Sequence, residues 1–364
     1  MVYVTSVSDI AELIHKHTLN QYLLDLIATL KHDFSRWDKF DKIPRPAFHV
    51  SDGVMELMPV ADDEYFSFKY VNGHPKNPNE GKQTVVGTGQ IATVGDGIPL
   101  LISEMTLLTA LRTAATAAIA TDLLARADAE SLALIGNGSQ SDFQAIAHCL
   151  VRNIKTIYFY DTDPAAMQRF QRNMEAVDLN LTLIACEDAK QAVQNADIIT
   201  VCTACKEHVD VIKKQWIQPG AHINGLGGDC PGKTELEQSI LPEAKVVVEF
   251  FEQSFIEGEI QRFDEQTARS LVDAELWELV THTKPGRTSE QQITVFDSVG
   301  FAMEDFSALK LTFHLLNKYH VGRQLDMIPQ LSDPKDLFSV LTQTPSKINL
   351  NASQKATVKN EHKT

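Results

Sequence analysis

The stretch from residue 132 to residue 144 constrains the fold of this chain more than any other. An apolar run at 132–135 leads into Gly136 and Gly138, and polar residues then precede another apolar run. A buried strand, a tight glycine turn and a helix N-terminus in this order can bind the pyrophosphate of a nucleotide. The pattern is incomplete, because Ser141 stands where G-x-G-x-x-G has its third glycine, so an ordinary strand-to-helix connection also fits.

An acid after the next predicted strand favours the nucleotide interpretation. The strand at 155–160 ends at Asp161, 25 residues after Gly136 (161 − 136). An acid near this spacing binds the ribose hydroxyls of NAD in dinucleotide-binding folds. Its charge also disfavours the additional phosphate of NADP, so the sequence predicts NAD as cofactor.

Strand and helix patterns alternate from residue 131 to about 298, which is typical of an α/β fold with a doubly wound parallel sheet, here a Rossmann NAD domain. The predicted strands are 132–135, 155–160, 181–185, 197–201, 221–226, 245–250 and 293–297. The predicted helices begin near 139, 163, 188, 213, 234 and 272.

The first part of the chain has a different pattern and predicts an α+β domain with an antiparallel sheet. A strand at 2–4 and helices from 9 and over 19–37 precede period-two segments at 53–58, 65–71, 84–88 and 98–102, with turns expected at 72–73 and 95–97. Long helices at 106–127 and 300–320 connect the two parts. We expect residues 1–115 with 318–344 to form a substrate-binding and dimerisation domain, 116–317 the NAD domain, and 345–364 a disordered tail.

The charge of the chain limits which partners the protein can bind. The net charge is −15 and the pI is near 5.2. This acidic balance argues against nucleic acid as a partner, because binding phosphates needs a basic face. The N-terminus has no signal-peptide pattern. The apolar run at 107–124 contains Arg112 and Asp122, which we take as too polar for a membrane span. Five cysteines, an odd number, suit a reducing compartment, so we expect a cytoplasmic protein.

The segment at 227–234 matches the P-loop pattern G-x-x-x-x-G-K-T. We reject a P-loop because Asp229 would place a carboxylate among backbone N–H groups that bind phosphate. Asp229 can instead be a general acid/base at the end of a strand, or it can cap a helix that follows. Both alternatives remain open at this point.

Cys202 and Cys205 form a C-x-x-C motif in the sequence. The chain has no second such motif, so we interpret these cysteines as small residues at the end of the predicted strand 197–201 and expect no metal site. Between them, the Thr203 hydroxyl lies where the sheet would face a cofactor.

Three cations interrupt apolar segments: Arg45, Lys69 and Arg112. Each alone can be a solvated surface residue, but together they favour an anionic ligand, most simply a carboxylate. Glu56 is an acid in a similar setting that could bind a substrate cation, or could face solvent.

These segments resemble the ornithine cyclodeaminase/mu-crystallin family from about residue 1 to 340. The resemblance is densest at 56–62, 68–75, 110–115, 133–138, 227–236 and 295–302. The family implies a homodimer with a β-barrel shared between its first domains, and one NAD per subunit.

The resemblance also implies roles for individual residues. Arg45 and Lys69 would hold the substrate carboxylate, Glu56 the distal amine, and Val299 would touch substrate, while Asp229 would be the catalytic acid/base. The residues that would line NAD are Thr84, Arg112, Ser139, Gln140, Asp161, Thr203, Leu226, Gly227, Gly228, Asp229, Lys233 and Ser298. Ser139 replaces an expected alanine, and Cys202 and Cys205 replace an expected valine and aspartate.

The activity that the resemblance implies is conversion of the amino acid L-ornithine to L-proline and ammonia. Related activities on lysine or arginine, an NAD-dependent imine reductase or amino-acid dehydrogenase, and a non-catalytic ligand-binding protein of the mu-crystallin type are the alternatives. Asp229 argues against a pure binder, which has no need of a carboxylate beside a nicotinamide.

Overall fold

The computed structural model describes residues 1–177, 179–204, 208–228 and 230–342. The predicted α/β fold with two sheets is confirmed. The first sheet and its helices comprise β1 Val2–Thr5, α1 Val7–His17, α2 Leu19–Phe34, β2 Asp41–Lys42, β3 Ala47–Val50, β4 Gly53–Ala61, β5 Tyr65–Gly73, β6 Val85–Thr93 and β7 Pro99–Glu104.

Helix α3 (Thr106–Leu124) leads to the second sheet. Its elements are β8 Ser131–Ile135, α4 Ser141–Val151, β9 Thr156–Tyr160, α5 Pro164–Glu175, β10 Thr182–Ala185, α6 Ala189–Val193, β11 Ile198–Val201, β12 His208–Ile212, β13 His222–Gly225, β14 Thr234–Leu236, β15 Lys245–Val248, α7 Phe251–Glu257, α8 Glu265–Leu271, β16 Val272–Glu275, α9 Leu276–Val280 and β17 Thr294–Asp297. The last elements are α10 Ala302–Tyr319, β18 Arg323–Leu325 and α11 Ser339–Thr342.

The first sheet has the order β18-β1-β7-β6-β5-β4-β2, and β3 also pairs with β4. From β3 to β7 every pairing is antiparallel, whereas β1 runs parallel to β7. Alternate residues of β4 and β5 therefore share one face, and Met58 stands opposite Lys69 in the register. Helix α10 contacts this sheet from β4 to β7.

The second sheet is wholly parallel, in the order β10-β9-β8-β11-β13-β17-β15-β16. Its winding reverses between β8 and β11, which is the place where open α/β sheets bind ligands at the carboxyl ends of their strands. Its central strands are buried on both faces, as continuous apolar runs require.

Helix α3 is long and apolar enough to span a membrane by length and composition alone, despite Arg112 and Asp122. The two charges therefore do not decide the question. However, 78% of its apolar window is buried inside the protein, where α3 packs against α2, α4 and α10. It is a core helix of the described chain.

Several local predictions were wrong. Asn72 and Gly73 do not form a turn, because both pair in β5 with β4 and β6, and ladder hydrogen bonds outweigh turn propensity. The helices expected near 213 and 234 are a 3₁₀ turn at Lys214–Trp216 and strand β14, which pairs with β12. The helix expected near 272 is preceded by strand β16. The predicted disordered tail at 345–364 lies outside the described residues.

Candidate active site

The carboxyl ends of the parallel strands bring together most of the residues predicted to line a cofactor. Asp161 follows β9, Thr203 follows β11, Leu226 follows β13 and Ser298 follows β17, while the glycine turn follows β8. These strands are neighbours in the sheet, so the predicted residues share one edge.

The turn after β8 needs glycine at its first position. Gly136 has φ +92°, and a Cβ there would lie 2.7 Å from the carbonyl oxygen of Cys202, the residue that follows β11. At Gly138 a Cβ would meet no heavy atom within 4 Å, so the second glycine borders open space. The backbone of this turn therefore lies beside open space that a ligand can enter.

Asp161 is fixed at this turn. Its Oδ2 accepts a hydrogen bond of 2.6 Å from the Asn137 N–H, and its Oδ1 accepts one of 2.9 Å from the Asp163 N–H. Ser139, which follows the second glycine of the turn, is exposed. Gln140 precedes α4, and its buried Oε1 has no hydrogen-bond partner in the described part of the chain. An unpartnered acceptor of this kind fits a site that a ligand completes.

A buried acid organises the loop after β11. The Glu235 carboxylate accepts hydrogen bonds from the Thr203 N–H, at 3.1 Å, and from the Thr203 hydroxyl. Lys233 Nζ donates to the Thr203 carbonyl at 3.0 Å. The same carboxylate lies where a side chain on Gly227 would be, 1.6 Å from a built Cβ. A side chain at position 227 would therefore require the Glu235 carboxylate to move away from Thr203.

Two of the predicted cations meet inside the protein. Lys69 Nζ donates to Asp305 Oδ1 at 2.8 Å, and Arg112 Nε donates to the same oxygen at 3.0 Å. Arg112 Nη1 also donates to Glu304 Oε2 at 2.6 Å. Burial lowers the pKa of Lys69 to about 8. Burial and the nearby Glu249 raise the pKa of Glu304 well above its usual value.

The third cation, Arg45, lies among acids. Its Nε donates to Glu257 Oε2 at 2.8 Å and its Nη2 donates to the Val299 carbonyl at 2.8 Å. Its Nη1 is 3.5 Å from Glu56 Oε2. Glu56 is buried, and its other oxygen, Oε1, has no partner among the described residues. Glu56 is thus poised to accept a hydrogen bond from a ligand cation.

The loop after β17 is held by a further acid. The Glu249 carboxylate accepts hydrogen bonds from the Ser298 hydroxyl and from the N–H groups of Val299 and Gly300, at 2.6, 2.9 and 2.8 Å. Gly300 has φ +79°, and a Cβ there would lie 2.7 Å from Arg112 Nη1. This loop therefore joins the edge of the parallel sheet to the cation cluster.

The described contacts do not connect two of the predicted site residues, Thr84 and Asp229, with the carboxyl ends of the parallel strands. The Thr84 carbonyl accepts a hydrogen bond from the His74 N–H within the first sheet, and no described contact links Thr84 to the parallel sheet. Asp229 lies outside the described residues, as does Cys205. The residue after the loop, Thr234, begins strand β14, so no helix begins there for residue 229 to cap.

Sequence reasoning missed the buried acids of the site. Glu249 directly follows apolar strand β15 and Asp297 ends strand β17, and this placement was an available signal. Glu257, Glu304 and Asp305 lie in helices without such a signal. In the part of the chain that the structure describes, no group of three or more His, Cys, Asp or Glu side chains is arranged to hold a metal ion.

Fold and site together define the class: an α/β protein with a dinucleotide-type parallel sheet, in which the first, largely antiparallel sheet and helix α3 add buried cations and an acid near the carboxyl ends of the parallel strands. The chain belongs to the ornithine cyclodeaminase/mu-crystallin family, whose pattern it matches over residues 7–318. It is 48% identical over 336 residues to an ornithine cyclodeaminase from Agrobacterium fabrum, covering 92% of this chain and 93% of that one.

Two solved structures share the fold. A lysine cyclodeaminase, described in terms of its recognition of L-lysine, L-ornithine and L-2,4-diaminobutyric acid, superposes with a TM-score of 0.85 at 28% identity, over 93% of this chain and 98% of that chain. An archaeal alanine dehydrogenase dimer with bound NAD superposes with a TM-score of 0.82 at 29% identity, over 90% of this chain and 99% of that chain.

Proposed function

We propose that the protein is an ornithine cyclodeaminase that converts L-ornithine to L-proline and ammonia with NAD as a catalytic cofactor. The observation that carries this proposal is the convergence of Arg45, Lys69 and Glu56 beside the loop at Val299. The cations suit a carboxylate and the acid suits a distal ammonium, so the site matches the two ends of a diamino acid. The name of the Agrobacterium relative supports the same reaction.

NAD fits the edge of the parallel sheet. The glycine turn, the N-terminus of α4 and the open space beside Gly138 suit a pyrophosphate, and Asp161 suits a ribose. We assign the remaining contacts to Thr84, Arg112, Ser139, Gln140, Thr203, Leu226, Gly227, Gly228, Lys233 and Ser298. When bound, NAD supplies an acceptor for the hydrogen on C2 of ornithine and the donor that restores it.

The residues of this chain contribute mainly by positioning. Arg45 and Lys69 hold the carboxylate, and Glu56 holds the distal amine, so the substrate is kept folded with its amine near C2. An intramolecular attack in a fixed geometry carries a large advantage in effective molarity. We assign the movement of protons between the two substrate nitrogens to Asp229, on the ground of the family resemblance.

We further propose that the protein is a homodimer that buries the outer face of its first sheet. Strands β3 to β6 carry six exposed apolar residues, with Phe48 73% and Leu57 45% exposed. The other members of this face are Val50, Phe66, Tyr70 and Val86. A face of this kind calls for a partner, and the archaeal alanine dehydrogenase is a dimer. Sedimentation should give twice the mass of one chain, and Phe66→Glu should shift it toward the monomer.

The test of the function is direct. The pure protein is incubated with a small amount of NAD⁺ and with ornithine, lysine or arginine separately, and the products are identified by mass. We expect proline and ammonia from ornithine. The similarity to a lysine cyclodeaminase favours a side activity on lysine, because one methylene in a pocket is worth only about 1–3 kcal/mol. Absence of a cyclic product from every substrate would contradict the proposal.

A further inference from the structure

Helix α7 directs two polar side chains into the protein. Gln253 and Glu257 are four residues apart on this helix, a spacing that places them on the same side of it. Both are buried. Buried polar groups are costly unless they are hydrogen-bonded, so these two side chains need partners.

The partner of Gln253 and Glu257 is Arg45. Gln253 Oε1 accepts a hydrogen bond of 2.7 Å from the Arg45 backbone N–H, while Gln253 Nε2 donates to Glu257 Oε2 at 2.7 Å. Glu257 Oε2 accepts hydrogen bonds from Arg45 Nε, at 2.8 Å, and from Arg45 Nη2. Helix α7 thus holds both the backbone and the guanidinium of Arg45.

This contact joins the two sheets. Arg45 precedes β3 of the antiparallel sheet, whereas α7 follows β15 of the parallel sheet. Lys69, by contrast, is placed by Asp305 of α10. The two cations that we assign to the substrate carboxylate are therefore positioned by different parts of the chain.

We propose that Glu257 and Gln253 are positioning residues that fix Arg45 for substrate binding and make substrate affinity depend on the docking of the two sheets. The inference rests on the proposed function for the role of Arg45. With Nε and Nη2 turned toward Glu257, Nη1 points to Glu56 Oε2, 3.5 Å away, on the side where we place the substrate. Neither Glu257 nor Gln253 needs to touch the substrate for this effect.

The charge of Glu257 changes near neutral pH. Burial raises its pKa to about 7; the facing charges among the described residues are Arg45, which lowers the pKa, and Glu56, which raises it. Only the ionised carboxylate gives Arg45 a charge-assisted hydrogen bond. The orientation of Arg45 should therefore weaken as the pH falls below about 7.

The experiment compares wild type with Glu257→Gln in the full-length protein saturated with NAD⁺. We expect the KM for ornithine to rise about tenfold in the variant, since a charge-assisted hydrogen bond is lost, with a much smaller change in kcat. The wild-type KM should rise as the pH falls from 8 to 6, and the KM of the variant should stay level. Glu252→Gln, which removes an exposed acid from the same helix, should leave KM and its pH dependence unchanged.

A double substitution separates positioning from other roles. In an Arg45→Met background, Glu257→Gln should raise KM no further, because Glu257 acts through Arg45. Additive effects would overturn the proposal. Gln253→Met replaces Glu257→Gln in the same cycle if that variant does not fold, with a smaller rise in KM expected.

A binding measurement keeps this inference apart from the proposed function. If the wild type did not convert ornithine, the proposed function would be contradicted, but the inference about the positioning of Arg45 would not. Calorimetric titration of the NAD⁺-bound protein with pentanoate, which carries a carboxylate and no amine, still tests the positioning of Arg45. Affinity about tenfold weaker in Glu257→Gln than in wild type supports the inference, and equal affinity overturns it.

Discussion

Lys69 and Asp305 form an ion pair in which both side chains are only 1% exposed, with Lys69 Nζ 2.8 Å from Asp305 Oδ1. The same oxygen accepts the hydrogen bond from Arg112 Nε. Asp305 thereby joins a strand of the antiparallel sheet to helix α3. An ammonium has three donor hydrogens, and among the described residues Lys69 Nζ donates to Asp305 alone.

Lys69→Met should weaken ornithine binding. The substrate carboxylate would lose a charge-assisted partner worth roughly 1.5–3 kcal/mol, which corresponds to a rise in KM of about 10-fold to 100-fold. Initial rates at saturating NAD⁺ measure this. Lys76→Met is the matched control, since Lys76 is an exposed lysine with 74% of its side chain accessible. An unchanged KM in Lys69→Met would place the substrate carboxylate elsewhere.

The pH dependence of the KM for ornithine should show the titration of Lys69. Burial lowers the pKa of Lys69 to about 8, so its charge is present below that pH and is lost as the pH rises through it. We expect the wild-type KM for ornithine to increase above pH 8. The Lys69→Met variant lacks the titrating group and should lose this increase, and a parallel increase in the variant would assign it to another group.

Gly300→Ala should disturb Arg112. A Cβ at residue 300 would lie 2.7 Å from Arg112 Nη1, and the backbone there has φ +79°. Gly97→Ala is the control for backbone strain alone, because Gly97 has φ +71° with no atom within 4 Å of a built Cβ. Both variants should lose about 1–2 kcal/mol of stability, but only Gly300→Ala should raise KM. Similar kinetics in the two would mean that Arg112 shifts without consequence.

Asp161 should give the protein its preference for NAD. Its carboxylate, fixed by the Asn137 and Asp163 N–H groups, would repel the 2′-phosphate of NADP. Asp161→Ser should therefore narrow the ratio of the two dissociation constants. Asp163→Ser is the control, because serine also caps helix α5 as Asp163 does. Equal binding of both cofactors by the wild type would remove Asp161 from the ribose site.

Asp229→Asn should lower kcat by about 100-fold or more, since the amide keeps the size of the side chain but cannot transfer a proton. The dissociation constant of NAD⁺ should stay near that of the wild type. Strand β14 follows this loop, so a helix-capping role offers no alternative reason for a loss. A variant that keeps most of its kcat would show that Asp229 moves no proton in the reaction.

The sequence predicted most strands of both sheets because each sheet has its own periodicity, continuous for β8 and alternating for β5, but it missed the short strands β2, β3, β16 and β18. It failed where elements are short, as in β14, whose strand form depends on pairing with β12. Lys69 stood out as a cation within an apolar strand. Its partner Asp305 is 236 residues away, and only the docking of α10 on the sheet brings the two together.

The same reason applies to Arg45 and Glu257, which are 212 residues apart. Residue type and local pattern indicate that a cation lies in an apolar segment, but they do not indicate which acid pairs with it. That information lies in the tertiary contacts between the sheets. Candidate binding groups could therefore be predicted, whereas the residues that orient them could not.

Cyclodeamination differs from ordinary dehydrogenation in the use of NAD. Ornithine minus ammonia is proline, with no net loss of electrons, so NAD⁺ should act catalytically. Many equivalents of proline should form per cofactor without a lasting rise in the absorbance of reduced nicotinamide. A dehydrogenase would instead consume one NAD⁺ for each product.

An isotope experiment decides between these reactions. Ornithine deuterated at C2 is supplied in ordinary water with substoichiometric NAD⁺, and the proline is analysed by mass spectrometry. The hydrogen that leaves C2 should return to C2, because a cofactor that stays bound between the two half-reactions cannot exchange it with solvent. Deuterium should therefore remain at C2 of the proline. Proline with only protium at that carbon, or reduced cofactor rising in step with product, would contradict cyclodeamination and favour a dehydrogenase or an imine reductase.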